Sequence, residues 1–240
     1  MLTIFRKELN SFLNSLVAYI VIGVFLVLAG LFTWVFEGNV LDYGYADLNS
    51  FFQLAPYIFI FLIPSITMRL FSEEFKTGTI ELLFTKPLTD WQIILGKFLA
   101  AFILIVVALL PTFLYYYSVY ELGNPKGNVD TSAIVGSYVG LFFLGGVFAA
   151  IGLWASSLTD NQVVAFIIGA LACFLLYDGL HQLAQLFNGS TQYLIDYTGL
   201  SYHYESIGRG SIDSRTLVYF LSVTILMLYL TKVQVSTKKS

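Results

Sequence analysis

Residues 69–97 read RLFSEEFKTGTIELLFTKPLTDWQIILGK, and a long uncharged run lies on either side. Before Arg69 come 21 residues without a charge, back to Asp47; after Lys97 come 23, up to Glu121. A charge at the bilayer centre costs at least about 2.5 kcal/mol, and a spanning helix needs about 20 residues, so each run marks a membrane span. The quoted stretch joins them, and it carries its own helix signals. Ser72 can cap a helix with Glu73 and Glu74 in the first turn, where the helix dipole favours acids. Gly78 interrupts that helix, Thr79 starts a second short turn through Ile80-Glu81-Leu82-Leu83-Phe84, and Pro87 ends it. Thr89 with Gln92 forms a capping-box pattern that launches the next span. The expected product is a break-and-restart on the membrane surface. Phe71, Phe75, Ile80, Leu83 and Phe84 are expected toward lipid or protein, and Glu73, Glu74, Lys76 and Glu81 toward water or a partner. An ordinary interfacial loop satisfies this pattern as well; the functional alternative is a docking element that receives force from a soluble protein.

The same charge-to-charge count finds four more spans. Glu8 to Glu37 leaves 28 uncharged residues, Asp130 to Asp160 leaves 29, Asp160 to Asp178 leaves 17 and Arg215 to Lys232 leaves 16. The last two are short, but both are strongly apolar and flanking side chains can snorkel. The expected spans are about 16–36, 51–69, 94–117, 133–157, 162–180 and 216–232. The gap from Asp178 to Asp196 also has 17 residues, but it holds His181, three glutamines, Asn188, Ser190 and Thr191. Unpaired in lipid these would be costly. Its Leu180, Leu183, Leu186 and Phe187 instead suggest a helix lying at, or dipping into, the outer interface. With a cytoplasmic N-terminus, nine of the 12 basic residues fall inside and three, Lys126, Arg209 and Arg215, outside. The positive-inside rule therefore favours six spans with both termini cytoplasmic.

Composition agrees. Of 240 residues, 58% are hydrophobic and 11% charged, and the net charge is −3. A soluble domain is roughly 25% charged, so the expected fold is an all-α integral membrane protein forming one transmembrane domain over residues 1–240. One cysteine, Cys173, excludes a disulfide framework, and the charge gives no reason to expect nucleic acid. Leu2, Phe5, Leu9 and Phe12, with Arg6 and Lys7 between them, read as an amphipathic lead-in helix. Pro56, Pro64 and Pro111 place distortions in spans two and three. Gly136 and Gly140 form a GxxxG, followed by Gly145 and Gly146, a pattern for close helix packing within one subunit or between two.

The run GTIELLFTKPLTDWQIILGKFLA resembles the signature region of ABC-2 type transporter permeases. Glu74, Gly78, Thr79, Glu81, Pro87, Gly96 and Lys97 occupy the family's motif positions, and Phe5-Arg6-Lys7-Glu8-Leu9 resembles its lead-in. Within the family the chain is most similar to the permease subunit of the gliding-motility-associated ABC transporter of Bacteroidetes, through residues 40–46 (VLDYGYA) and 55–59 (APYIF). The resemblance implies a cytoplasmic coupling helix between spans two and three, at about Phe71 to Phe84. Its contact residues would be Phe71, Glu73, Glu74, Phe75, Lys76, Gly78, Thr79, Glu81, Leu82 and Leu83, with Gly96 and Lys97 positioning span three. It also implies a separate cytoplasmic ABC ATPase that binds ATP and Mg. A second transmembrane subunit, in a homo- or heterodimer, would carry an extracytoplasmic domain in the gliding system. The implied location is the bacterial inner membrane.

Other chemistry finds little footing. There is no G-x-x-x-x-G-K-[ST], so this chain lacks that phosphate-cradling device and is not expected to be an enzyme. Asp178 and His181 lie at i, i+3, which is two ligands without a third, and no metal site is expected. Three function classes fit a chain of this kind. The first is a permease subunit driven by a partner ATPase. The second is a membrane scaffold or assembly subunit of a secretion or motility complex. The third is a secondary carrier, disfavoured because no ionisable group falls inside the uncharged runs.

Overall fold

A computed structural model describes residues 1–42, 46–211 and 213–239, and no strand occurs among the described residues. The order is α1 (Leu2–Leu13), α2 (Leu16–Trp34), α3 (Asn49–Thr67), α4 (Arg69–Thr77), α5 (Thr79–Phe84) and α6 (Asp90–Leu109). Then come α7 (Phe113–Leu122), α8 (Thr131–Leu158), α9 (Gln162–Phe174), α10 (Leu180–Ala184), α11 (Ser190–Tyr197), α12 (Leu200–Gly208) and α13 (Ser214–Lys239). A 3₁₀ turn at Leu110–Thr112, carrying Pro111, joins α6 to α7, and a π-helical turn at Leu175–Gly179 joins α9 to α10. The described residues hold five helical stretches long and apolar enough to cross a membrane: 49–77, 90–122, 131–158, 162–184 and 214–239. Counting the bent pair of α1 and α2 as one gives six.

Several helices are longer than the expected spans, because a helix continues as long as its backbone bonds close, whereas charge counting sees only the apolar part. Helix α8 is the hub: α3, α4, α6, α9, α12 and α13 all pack on it. Its small residues make that possible. A Cβ on Gly140 would stand 3.0 Å from the Tyr204 ring, one on Gly145 3.1 Å from Ile105, and one on Gly146 3.4 Å from Phe102. A Cβ on Gly136 would collide with the Ile207 carbonyl oxygen, and one on Gly152 with Thr67. The whole small-residue stripe is thus occupied by helices of the same chain.

Between span five and α13 the chain forms the short helices α10, α11 and α12. Leu180 to Ala184 simply continue span five, and Leu183, Leu186 and Phe187 are exposed. The element that enters the bundle is α12, which buries Leu200, His203, Tyr204 and Ile207. The Tyr204 hydroxyl donates to the Phe52 carbonyl at 2.7 Å, inside the core. A buried phenol needs such an acceptor, and this bond pins α12 to α3. Helix α11 buries nothing.

Lys7 reaches Glu74 at 2.8 Å and Lys239 reaches Asp90 at 3.3 Å, so α1, the α4–α5 elbow and the end of α13 share one end of the bundle. The close seat at Gly136 is directly testable. Gly136→Ala is expected to lower the thermal midpoint measured in detergent. Gly23→Ala, whose Cβ would meet nothing within 4 Å on α2, should leave the midpoint unchanged or raise it, since Ala favours a helix by roughly 1 kcal/mol.

Candidate functional site

The elbow begins without a stop. Met68 keeps helical angles (φ −52°, ψ −32°), so α3 passes almost directly into α4. The expected Ser72 cap is therefore wrong: with no open first turn to satisfy at that point, the buried Ser72 hydroxyl bonds back to the Met68 carbonyl instead. The real break is Gly78, left-handed at φ +71°, a conformation that costs an L side chain roughly 1–2 kcal/mol. Helix α5 starts at once, with the Thr77 and Thr79 hydroxyls 2.9 Å apart across the glycine. The Thr89–Gln92 capping box forms in both directions, at 3.3 and 3.2 Å, and starts α6.

Beneath the elbow lies a cluster of four charges. Lys97, about two turns into α6, has no exposed surface. Its ammonium sits 2.9 Å from Glu8 Oε1, 2.9 Å from Glu74 Oε2 and 2.7 Å from the Leu70 carbonyl. Lys7 closes the ring from outside, 2.8 Å from Glu74 Oε1 and 3.3 Å from Glu8 Oε1. Two cations and two carboxylates thus alternate among α1, α4 and α6, and the Phe71 ring lies 5.1 Å from the Lys97 ammonium. Gly96 makes the approach possible: a Cβ there would stand 3.0 Å from Ile4 and 3.1 Å from the Met1 carbonyl.

Burial by itself would raise the Glu8 carboxyl, but the Lys97 ammonium, and then Lys7, outweigh it and hold the group below its usual 4.5. Burial would likewise lower Lys7; its bond to Glu74 and the charges of Glu8 and Glu74 raise it instead, above 10.5. The cluster's contribution from Glu8 is present above pH 4.5 and is lost as pH falls through the depressed value. That from Lys7, half-exposed and screened, is lost only as pH rises past its raised value.

The expected site residues divide by burial. Glu73, Lys76, Gly78, Thr79, Glu81 and Leu82 are exposed on the elbow; Phe75 and Leu83 are half-buried. Phe71 and Glu74 are buried. The expectation that Glu74 faces water or a partner is corrected, since its carboxylate is spent on Lys97 and Lys7. The lead-in helix forms as α1. Its protein-facing stripe is Ile4, Glu8 and Phe12, while Leu2 is exposed and Phe5 and Leu9 are only half-buried. A glutamate on a stripe spaced i, i+4, i+8 with apolar residues was the available signal for the buried cluster.

The end of α13 was not foreseen either. Lys238 lies 3.8 Å from the Phe75 ring centroid, Lys239 5.4 Å from Phe84, and Lys232 5.5 Å from Trp91. The first two cation–π contacts brace the elbow at α4 and α5, and the third holds the start of α6. At the other end, His181 pairs with Asp196 at 2.7 Å rather than with Asp178. His203 stacks 3.9 Å from the Tyr219 ring. No group of three metal-binding side chains occurs among the described residues.

Replacing Lys97 with Ala leaves two buried carboxylates to share the half-exposed Lys7, and is expected to cost about 3 kcal/mol, read as a large fall in thermal midpoint. The triple change Glu8→Gln, Glu74→Gln, Lys97→Met should recover part of that loss, because it removes the charges together. As pH is lowered below 4.5 the wild-type midpoint should drop, and Glu8→Gln should flatten that part of the profile. An unchanged acid slope in Glu8→Gln would show that Glu8 is not held by this cluster.

No relative was found among curated proteins. A family model described as "ABC-2 family transporter protein" matches residues 2–231, from the lead-in helix through most of α13. The match takes in the elbow, the buried charges and the apolar helices together: the chain belongs to the ABC-2 transporter family, whose members are transmembrane components of ABC transporters.

Proposed function

We propose that this chain is the permease subunit on which a separate cytoplasmic ABC ATPase acts, and that the α4–α5 elbow is the lever. One observation carries the reading. The elbow presents an exposed, glycine-broken tip, while its root is tied through Glu74 to α1 and α6. A push on residues 76–82 would therefore be delivered to three helices at once rather than dissipated in a loop. On this reading the elbow end is cytoplasmic and the membrane is the bacterial inner one; the nine basic residues assigned to that end support it through the positive-inside rule. The permease acts beside a second transmembrane subunit, a copy of itself or a relative, and ATP with Mg stays on the ATPase chain.

The work served is gliding motility, on the resemblance carried by residues 40–46 and 55–59; of these, 43–45 lie outside the described residues. Whether the output is transport or mechanical work, the lever is the same.

Affinity purification in mild detergent is expected to bring down a P-loop ATPase. In that complex, Glu81→Lys and Gly78→Leu should weaken the link between ATP hydrolysis and substrate flux by roughly 5–150-fold, the usual span of a coupling energy, without unfolding the spans. Recovery of the chain with no ATPase, or full coupling in both variants, would sink the proposal. A cysteine placed at Thr77 and labelled only from outside the cell would refute the orientation.

A further inference from the structure

The cleft between α1 and the elbow contains a cation without a counter-charge. The cleft encloses about 540 Å³ and is lined by Lys7, Ser11, Arg69, Thr79 and Lys86, among others. Its carboxylates Glu8 and Glu74 are already matched by Lys7 and Lys97. That leaves Arg69 and Lys86 against Glu73. Arg69 is half-buried; its guanidinium lies 4.6 Å from the Phe12 ring centroid, and Nη1 donates to Ser15 Oγ at 3.1 Å. Its Nη2 is buried and meets no acceptor. No ion pair reaches Arg69 among the described residues. A covered guanidinium nitrogen with no acceptor is unfavourable unless an anion completes it.

The position of Arg69 names the anion. It ends the 21-residue uncharged run of α3 and reaches Ser15 at the turn from α1 into α2; the end of a spanning run is where lipid phosphates are met. A planar guanidinium matches a phosphate better than an ammonium does. We propose that this cleft binds the phosphate of an anionic glycerophospholipid, with Arg69 as the fixed cation and the exposed Lys86 as the second charge. The volume suits a headgroup, and the exposed hydroxyls of Ser11 and Thr79 line the approach. The proposal is independent of any ATPase, because it needs only that this end of the bundle meet the membrane surface.

The test exchanges the purified full chain into mixed micelles holding equal phosphatidylglycerol and phosphatidylcholine, and identifies retained lipid by native mass spectrometry. Two cations near an anionic headgroup should favour phosphatidylglycerol roughly 25-fold. Arg69→Gln and Lys86→Gln should each cut that preference about fivefold. Arg6→Gln, an exposed cation on α1 outside the cleft, should leave it unchanged. Lys86 is exposed and enters no ion pair among the described residues, so its variant decides the matter even if Arg69→Gln is unstable. Equal retention of the two lipids, an equal loss in Arg6→Gln, no loss in Lys86→Gln, or displacement by millimolar inorganic phosphate would each overturn the assignment.

Discussion

An ammonium with no exposed surface, carried by a protein built for lipid, must be neutralised where it stands. Lys97 is that group, and much of the membrane-surface end of the fold follows from satisfying it. A buried charge left alone is costly enough that the fold would lose it or rearrange. Here two carboxylates, from segments 66 residues apart in sequence (Glu8 and Glu74), converge on it. Helix α1 cannot peel away without stranding Glu8, and the elbow cannot lift without stranding Glu74. The same charges therefore stabilise the junction and make it behave as one body.

The elbow combines that fixed root with a free tip. Gly78 supplies a left-handed residue that ends α4 without clashes, and α5 folds back before α6 begins at the Thr89 cap. The lysines at the end of α13 then hold the aromatic side of the elbow, so the first and last helices of the chain both bear on it. Farther into the bundle the constraint changes from charge to volume. Association of helices in lipid gains little from hydrophobicity and depends on close contact. Helix α8 provides it with glycines placed against α3, α6 and α12, and the Tyr204–Phe52 bond locks the last of these.

Much of this was legible in the order of residues. Uncharged runs announced the spans, because the penalty for a charge in lipid is a local property of the sequence. Gly78 and the Thr89–Gln92 pair announced the break and the restart, because capping and left-handed backbone are decided within a few residues. The cap assigned to Ser72 failed for the same kind of reason: whether a serine opens a helix depends on whether the preceding turn is already helical, and α3 arrives still wound. In the lead-in helix the most apolar residues do not mark the packed face: Leu2 is exposed, while protein covers Ile4, Glu8 and Phe12.

The sequence by itself determined that the chain is helical and membrane-spanning, where its apolar segments begin and end, and where the elbow bends, since each of these is set by neighbours a turn or a bilayer thickness away. Only the tertiary structure decided that Lys7, Glu8, Glu74 and Lys97 meet, that α12 enters the bundle, that Arg69 is left without a carboxylate, and that the tail of α13 reaches the elbow. Those are pairings between distant segments, and a single string of residues records the charges without recording which of them come within 3 Å of one another.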